Sequence, residues 1–325
     1  MTIINRYIKH VKIAETKFRL LFRYYVHYLD VKPVKIKFLY LCWFLITASG
    51  CFNSSFYKPN QTLYETPDQY NLTYEEVFFK SKDGTMLYGW FVPAVGDAVG
   101  TVIHFNGNFG NLTYYFKQIH WLPLQNFNVF TFDYRGYGRS KGTPSRRGIY
   151  KDSVAAIEYI LSKPDIDHDN VFVFGQSLGG VNAVVALVKN EFPKIRAIAL
   201  EGTFFSYRQE AQDMMTSTVR KRIGNVPCLS FQTWLLSLPS VTNLYSSGEF
   251  IDQVSPIPLL LIHCTQDLYV PYHHSELLYE KAKEPKKLWI IEGCKHLQLF
   301  TDKQLKHKYR QRLVQFFNNY QRKMK

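Results

Sequence analysis

Gly175-Gln176-Ser177-Leu178-Gly179 follows the unbroken apolar run Val171-Phe172-Val173-Phe174 and precedes a second apolar stretch with helical spacing. A serine in a G-x-S-x-G pattern between a strand and a helix lies on a tight, strained turn, and glycine two positions away on either side avoids a collision. Such a turn lifts the hydroxyl above the sheet, at the start of a helix whose amides favour negative charge. The pattern therefore predicts that Ser177 is a nucleophile.

A nucleophilic serine needs a histidine to accept its proton and a carboxylate to orient that histidine. Two later apolar runs, 258–262 and 288–291, are typical of buried parallel strands, and Asp267 and His296 follow them by five residues each. Loops at the carboxyl ends of parallel strands meet at one edge of an open sheet, where ligands bind. The predicted catalytic triad is therefore Ser177, Asp267 and His296.

Other residues compete for the acid and base roles. Glu201 ends the apolar run 195–200 and is the alternative acid. The alternative bases are His104, His263, His273 and His274, of which the first two lie within or at the end of predicted strands, as packed residues do. The structural alternative is that Asp267 is only a turn residue and that His296 is only a surface histidine.

Acyl transfer also requires donors for the oxyanion. The backbone N–H of Leu178, directly after the nucleophile, is one predicted donor. The N–H of Asn108 is the other, in the loop 106–111 that follows the predicted strand 101–105. Glycine in this loop lets the backbone at Asn106 and Gly107 approach a substrate closely. A glycine-asparagine turn without a ligand is the alternative.

The rest of the chain predicts one domain with an α/β sheet over 72–325, after a polar tether over 52–71. Segments 75–80 and 86–92 predict a hairpin, and from Thr101 onward strands alternate with helical patterns, which indicates a doubly wound, mostly parallel sheet. The alternation lapses over about 204–254, which predicts a small helical cap insertion. The residues predicted to line an acyl pocket there are Phe204, Met214, Met215 and Trp234. Packing of the cap on the sheet is the alternative role for them.

Six segments together resemble the α/β-hydrolase superfamily, most closely its abhydrolase-domain, serine-aminopeptidase-like branch of esterases, lipases and thioesterases. They are Asn106-Gly107-Asn108, 132–140, 142–145, the serine turn, Asp267-Leu268-Tyr269-Val270-Pro271 and 285–289. The resemblance implies the α/β-hydrolase fold and a serine hydrolase that cleaves esters or thioesters of small molecules or lipids through an acyl-enzyme, without a metal or organic cofactor. A peptidase or amidase of the same fold and a catalytically inactive binding module are the alternatives.

Two residues depart from the pattern of that branch. Asn106 stands where His is usual, and Cys264 stands where Gly is common. Because Asn106 can still bond to neighbouring backbone, we expect a rearranged set of hydrogen bonds behind the oxyanion loop.

The charge of the chain is concentrated at its two ends. The net charge is +14, and residues 1–37 and 302–325 each contribute +7, so the body from 38 to 301 is neutral. A nucleic-acid enzyme places basic residues around its working loops, and these loops are poor in Lys and Arg. The charge pattern therefore excludes nucleic acid as a partner.

Residues 1–51 predict a basic leader and a signal that attaches the protein to a membrane. The uncharged run 38–51 follows two lysines and ends in small residues, as a secretory signal does, and it is shorter than the roughly twenty residues of a spanning helix. Its end, Ala48-Ser49-Gly50-Cys51, resembles a bacterial lipoprotein box, which implies a lipid on Cys51, although Leu is usual at the position of Ala48. An uncleaved signal anchor is the alternative.

A start codon assigned too early would account for the long leader over residues 1 to about 30. Lipoprotein and anchor both predict a body outside the cytoplasm. Of the five cysteines, Cys264 and Cys294 flank the predicted acid and base on neighbouring strands. A disulfide between them and two buried thiols are both open from the sequence.

Overall fold

The computed structural model describes residues 56–223 and 241–322. The predicted leader, Cys51, the start of the tether, and Trp234 in the cap lie outside these residues. Within them the strands, in chain order, are β1 (Lys58–Pro59), β2 (Glu75–Lys80), β3 (Met86–Val92), β4 (Gly100–Phe105), β5 (Phe109–Gly110), β6 (Phe127–Asp133), β7 (Val171–Gln176), β8 (Ile195–Glu201), β9 (Leu259–Cys264) and β10 (Lys286–Ile291). The helices are α1 (Leu112–Ile119), α2 (Arg146–Ser162), α3 (Leu178–Asn190), α4 (Tyr207–Ile223), α5 (Ser247–Phe250), α6 (His273–Lys281) and α7 (Leu305–Tyr320).

Eight of these strands form the central sheet in the order β10-β9-β8-β7-β4-β6-β3-β2. The first six in this order run parallel, and the predicted hairpin of β2 and β3 joins them antiparallel at the far edge. The doubly wound, mostly parallel sheet is therefore confirmed. Strand β7, which leads to Ser177, lies in the middle of the sheet, so the carboxyl ends of β4 and β8 emerge beside it and that of β9 emerges one strand further.

Alternate residues of each inner strand belong to two separate apolar cores. In β7, Val171 and Val173 pack in one core and Phe172 and Phe174 in the other. Helices α2 and α3 cover the first face, whereas α1 and α7 cover the second. Because both faces are buried, the inner strands are apolar at successive positions, which is why they appear as unbroken runs in the sequence.

The cap begins after β8. Helix α4 opens it and α5 closes it, while residues 224–240 lie outside the part of the chain that the structure describes. The predicted helical insertion over 204–254 is thus present in its described residues. Among residues 56–223 and 241–322, no helix has both the length and the apolar composition that crossing a bilayer requires.

The segment before β2 differs from the tether that the sequence predicts. Phe56 and Tyr57 are buried, and β1 pairs in parallel with β5. The composition of this segment is polar, but these two aromatic side chains pack in the core of the domain, and the backbone amides of Lys58 and Asn60 donate to it. The described part of the predicted tether is therefore packed on the domain.

Candidate active site

Ser177 occupies a strained turn between β7 and α3. Its φ of 54° and ψ of −122° lie in a backbone region that residues other than glycine rarely adopt. A Cβ on Gly179 would collide with the carbonyl of Phe105, and a Cβ on Gly175 would lie 2.6 Å from the Cα of Gly180. The two glycines of the sequence pattern are therefore required by close backbone packing on either side of the serine.

Asp267 and His296 are hydrogen-bonded to each other. The Nδ1 of His296 lies 2.5 Å from Oδ2 of Asp267. The other carboxylate oxygen of Asp267 accepts the N–H groups of Tyr269 and Val270, each at 2.9 Å. Because Nδ1 donates to the carboxylate, Nε2 of the neutral imidazole carries the lone pair that a general base needs.

Ser177 and His296 both have neighbours at the end of β8. The N–H of Ser177 donates to the carbonyl of Glu201 at 2.8 Å, and the next residue is Gly202. A Cβ on Gly202 would lie 3.1 Å from Cε1 and 3.3 Å from Nδ1 of His296, so the imidazole lies against this glycine. Ser177 and His296 therefore each lie next to the end of β8, which neither of them belongs to.

Burial and hydrogen bonding shift the pKa values of the acid and the base in opposite directions. Burial would raise the pKa of Asp267, but the hydrogen bonds with His263 and His296 outweigh it and bring the pKa to about 2. Burial would lower the pKa of His296, but the hydrogen bond and the charge of Asp267 outweigh it and raise that pKa. An ionised carboxylate beside a more basic imidazole is the electrostatic state that nucleophilic catalysis by serine uses.

His263 lies behind the acid. Its Nε2 is 2.8 Å from the carbonyl of Val270 and 3.3 Å from Oδ2 of Asp267, and its Nδ1 is 2.6 Å from Oγ of Ser275. Both ring nitrogens of His263 thus have partners other than Ser177. His104 is likewise buried in β4, as the sequence indicates.

Cys264 and Cys294 form a disulfide, with their Cα atoms 5.1 Å apart. The bridge joins the end of β9, three residues before Asp267, to the loop that carries His296 two residues later. Of the two possibilities that the sequence leaves open, the structure has the disulfide.

The predicted oxyanion loop lies beside the serine. A Cβ on Gly107 would lie 3.4 Å from Cβ of Ser177, so the loop backbone lies close to the predicted nucleophile. The side chain of Asn106 is turned inward: its Nδ2 donates to the carbonyl of Phe132 at 2.6 Å. The side chain of Asn106 therefore bonds to neighbouring backbone, as the sequence leads one to expect, and its role in substrate binding stays a prediction for its backbone.

A buried polar network lies behind the nucleophile turn, and no motif in the sequence indicates it. Nε2 of Gln176 donates to Glu201 and to Gln118, both at 2.8 Å, while His104 Nε2 lies 2.9 Å from Oε1 of Gln176. Tyr309 of α7 also donates to Glu201, at 2.8 Å. The only hint in the sequence is the presence of polar residues inside or at the end of apolar runs.

The predicted acyl-pocket residues of the cap have different environments. Phe204 is buried, with its ring centroid 5.1 Å from that of Tyr207 and 6.2 Å from that of Phe56. Met214 is partly buried against the core, and Met215 is half-buried. Phe204 thus packs the cap on the domain, which is the alternative role considered for it.

A cluster of acids and histidines lies between α4 of the cap and α6. The Nε2 of His274 is 3.3 Å from Oε2 of Glu210 and 3.1 Å from Oδ2 of Asp213, and His273 Nε2 is 3.4 Å from the same oxygen of Asp213. The N–H of Phe205 donates to Nδ1 of His274, so in the neutral ring Nε2 carries the proton. That nitrogen faces the two carboxylates as a donor, which argues against a metal held by Asp213, His273 and His274.

Comparison with known proteins gives relatives over most of the chain. The family model "Serine aminopeptidase, S33" matches residues 96–247. The uncharacterized protein YfhR of Escherichia coli K12 is 39% identical over 265 residues, which cover 80% of this chain and 85% of YfhR. The α/β hydrolase domain-containing protein WAV2 of Arabidopsis thaliana is 34% identical over 229 residues, 67% of this chain and 69% of WAV2.

Solved structures share the fold at low sequence identity. An esterase of Pyrococcus furiosus aligns with a TM-score of 0.65 and 18% identity, over 82% of this chain and 99% of the esterase. The esterase EaEST of Exiguobacterium antarcticum aligns with a TM-score of 0.55 and 18% identity, over 75% of this chain and all of that one. Both comparisons extend the structural likeness well beyond the segment that the family model covers.

Proposed function

The chain belongs to the α/β-hydrolase superfamily, and on that premise we propose that it is a serine hydrolase that cleaves carboxylic ester or thioester bonds through an acyl-enzyme. The observation that carries this proposal is the Asp267–His296 hydrogen bond at 2.5 Å, with the imidazole packed against Gly202, which follows the residue whose carbonyl accepts the N–H of Ser177. Two structural neighbours are esterases by name, which agrees with the proposed reaction.

The proposed reaction has two halves. In the first, Oγ of Ser177 attacks the carbonyl carbon while Nε2 of His296 accepts the hydroxyl proton, and that proton then passes to the leaving alcohol or thiol. In the second, His296 takes a proton from water, whose oxygen attacks the acyl carbon. The bond from that carbon to Oγ of Ser177 then breaks, the acid is released, and His296 returns the proton to Oγ. The N–H groups of Leu178 and Asn108 stabilise the oxyanion in both halves, and Asp267 keeps the imidazolium paired. No cofactor enters the proposed reaction.

Active-site labelling tests the proposal most directly. Incubation of the full chain with a fluorophosphonate probe should label wild type, and Ser177→Ala should abolish the label. Ser162→Ala, at the exposed end of α2, is the matched control and should label as wild type does. An unlabelled wild-type protein that hydrolyses neither p-nitrophenyl esters nor thioesters would contradict the proposal.

The carboxylates between α4 and α6 favour a second candidate, hydrolysis of an amide or peptide that carries a free amine. Glu210 and Asp213 both lie against Nε2 of His274, at 3.3 and 3.1 Å, and the charge of Glu210 is close enough to contribute to the raised pKa of His296, after the contributions of burial and Asp267. A pair of carboxylates is suited to binding an ammonium group. Aminoacyl p-nitroanilides turned over faster than p-nitrophenyl esters, with that preference lost in Glu210→Gln, would favour this candidate.

We also propose that the protein is attached to a membrane with its catalytic body outside the cytoplasm. The support is in the sequence: a basic leader, a short apolar run and the small residues that end in Cys51. The intact mass of protein extracted from membranes tests this. A mature chain that starts at Cys51 and carries the mass of lipid supports a lipoprotein, whereas a chain that retains residues before Cys51 supports an anchor.

A further inference from the structure

Residues 56–64, which we call the strap, run along the predicted oxyanion loop. The N–H of Lys58 donates to the carbonyl of Asn108 at 2.9 Å, and the N–H of Asn60 donates to the carbonyl of Gly110 at 3.1 Å. These two bonds are the ladder between β1 and β5. The strap thus binds the loop through backbone groups. One of these bonds is to Asn108, the residue that is the predicted oxyanion donor.

Further bonds close the strap around the same loop. The carbonyl of Asn108 also accepts the hydroxyl of Tyr137 at 3.0 Å. Nδ2 of Asn111 donates to the carbonyl of Thr62 at 2.8 Å, and the N–H of Tyr64 donates to Oγ1 of Thr113 at 3.0 Å. Asn111, which caps α1, is buried by these contacts. The loop is therefore held from Asn108 to the first turn of α1.

The beginning of the strap is fixed under the cap. Phe56 is only 3% exposed, and its ring meets that of Tyr207 in α4 edge to face, with centroids 5.0 Å apart. Tyr57 is 8% exposed. Burial of two aromatic side chains supplies the free energy that a two-residue strand lacks on its own.

A loop of this composition needs such support. Gly107 and Gly110 have no side chain to pack, and Gly110 has a φ of +72°, so the loop has many accessible conformations when it is not held. An oxyanion donor must nevertheless be placed within a fraction of an ångström, because misplacement by about 1 Å can cost on the order of 100-fold in rate.

We propose that the strap is a positioning element of the oxyanion hole, and that the Lys58 amide sets the placement of Asn108 by holding its carbonyl. The inference rests on the proposed serine hydrolase function. It assigns a role in catalysis to a segment that joins the domain to the chain before residue 56. The strap itself does not contact the reacting atoms.

Lys58→Pro in the full chain tests the proposal, because proline removes the amide hydrogen and is tolerated in an extended edge segment. Lys58→Ala is the matched control, since it loses the same side chain and keeps the amide. For Lys58→Pro we expect kcat on p-nitrophenyl butyrate to fall about ten- to 100-fold with KM within about two-fold of wild type. Lys58→Ala should keep wild-type kcat.

A trifluoromethyl ketone separates oxyanion positioning from general damage. Its adduct with a serine carries an oxyanion, so its inhibition constant should rise in Lys58→Pro by about the factor by which kcat falls. Equal kcat and equal inhibition constants in Lys58→Pro and Lys58→Ala would overturn the proposal. A parallel loss in both variants would overturn it as well, because the side chain would then be responsible.

Two further measurements keep the outcome decisive. If Lys58→Pro does not fold by circular dichroism, Asn60→Ala replaces it, because Oδ1 of Asn60 accepts the N–H of Thr62 and keeps the strap turned around the loop. We then expect a several-fold fall in kcat with the same rise in the inhibition constant, and wild-type values would overturn the proposal. Failure of the proposed function is distinguishable, since the wild-type chain would then neither react with a fluorophosphonate nor hydrolyse the ester.

Discussion

Asp267 lies between two imidazoles and two backbone amides, and this environment determines its protonation state. One oxygen receives the amides of Tyr269 and Val270, while the other faces His296 at 2.5 Å and His263 at 3.3 Å. Four donors around one buried carboxylate keep it ionised, which is why its pKa falls to about 2 despite burial. The same arrangement fixes the ring of His296.

Asp267→Asn should leave the fold intact and lower kcat by about 10³- to 10⁴-fold. The amide oxygen can still accept the N–H groups of Tyr269 and Val270, but the residue no longer carries the charge that pairs with the imidazolium. Ester hydrolysis and a thermal melt of the variant check both statements, with the exposed Asp165→Asn as control. Near-normal turnover in Asp267→Asn would transfer the acid role to Glu201.

The raised pKa of His296 predicts where activity is lost in acid. The base must be neutral to accept the serine proton, so kcat/KM should fall as pH drops through a pKa above the ordinary histidine value of about 6.5. Burial lowers that pKa, Asp267 raises it most and Glu210 adds to the rise, so Glu210→Gln should move the acid limb to lower pH. The kcat/KM profile of wild type and variant checks this. A wild-type limb below about pH 6 would contradict it.

At the scale of secondary-structure elements, the strands that carry a regular or continuous apolar pattern were predictable from the sequence. Strands β7 and β9 are apolar on both faces, so their runs were visible, although β7 extends to Gln176 because its last residues pair with β8. The strap was not predicted, since its pairing is two residues long and its residues follow no period. What fixes it is the burial of Phe56 and Tyr57 by residues far along the chain.

The disulfide joins two elements that each carry a triad residue, and it closes a loop with a sequence separation of 30 residues. The double variant Cys264→Ala/Cys294→Ala should lower the free energy of unfolding by about 2–4 kcal/mol, mainly because the unfolded chain regains entropy. Urea denaturation measures the loss. Dithiothreitol should bring the wild-type midpoint to that of the double variant. It should leave the midpoint of the double variant unchanged. Equal midpoints of the two proteins without reductant would refute the prediction.

At the scale of the whole molecule, the site is assembled at one edge of the sheet from loops after β4, β7 and β9 and from the loop after β10. Chain order and strand context predict Ser177, Asp267 and His296, because each follows an apolar run, and the structure joins two of them, Asp267 and His296, by a hydrogen bond. The cluster of Glu210 and His274 was not predictable, since it depends on how the cap returns to the sheet. The network around Gln176 was missed for a similar reason: its partners are 25 to 72 residues away and share no motif.

The last helix reaches the back of the active site, and this contact ties the end of the chain to the nucleophile turn. Tyr309 in α7 donates to Oε2 of Glu201 at 2.8 Å across a separation of 108 residues. Burial, and after it the charge of Glu201, raises the pKa of the Tyr309 hydroxyl. Tyr309→Phe would leave Gln176 as the remaining donor to that buried oxygen. We expect the free energy of unfolding to fall by about 1–3 kcal/mol, because a buried acceptor loses a hydrogen bond, while kcat changes less than about three-fold.

Urea denaturation and ester hydrolysis of the same preparation check both parts of this prediction, with Tyr320→Phe at the end of α7 as the matched control. An unchanged midpoint in Tyr309→Phe would mean that the hydroxyl contributes nothing to stability. If turnover instead dropped by two orders of magnitude while stability stayed at the wild-type level, a purely structural role for this contact would be contradicted. Glu201 would then act on the reaction directly rather than hold the turn on which Ser177 lies.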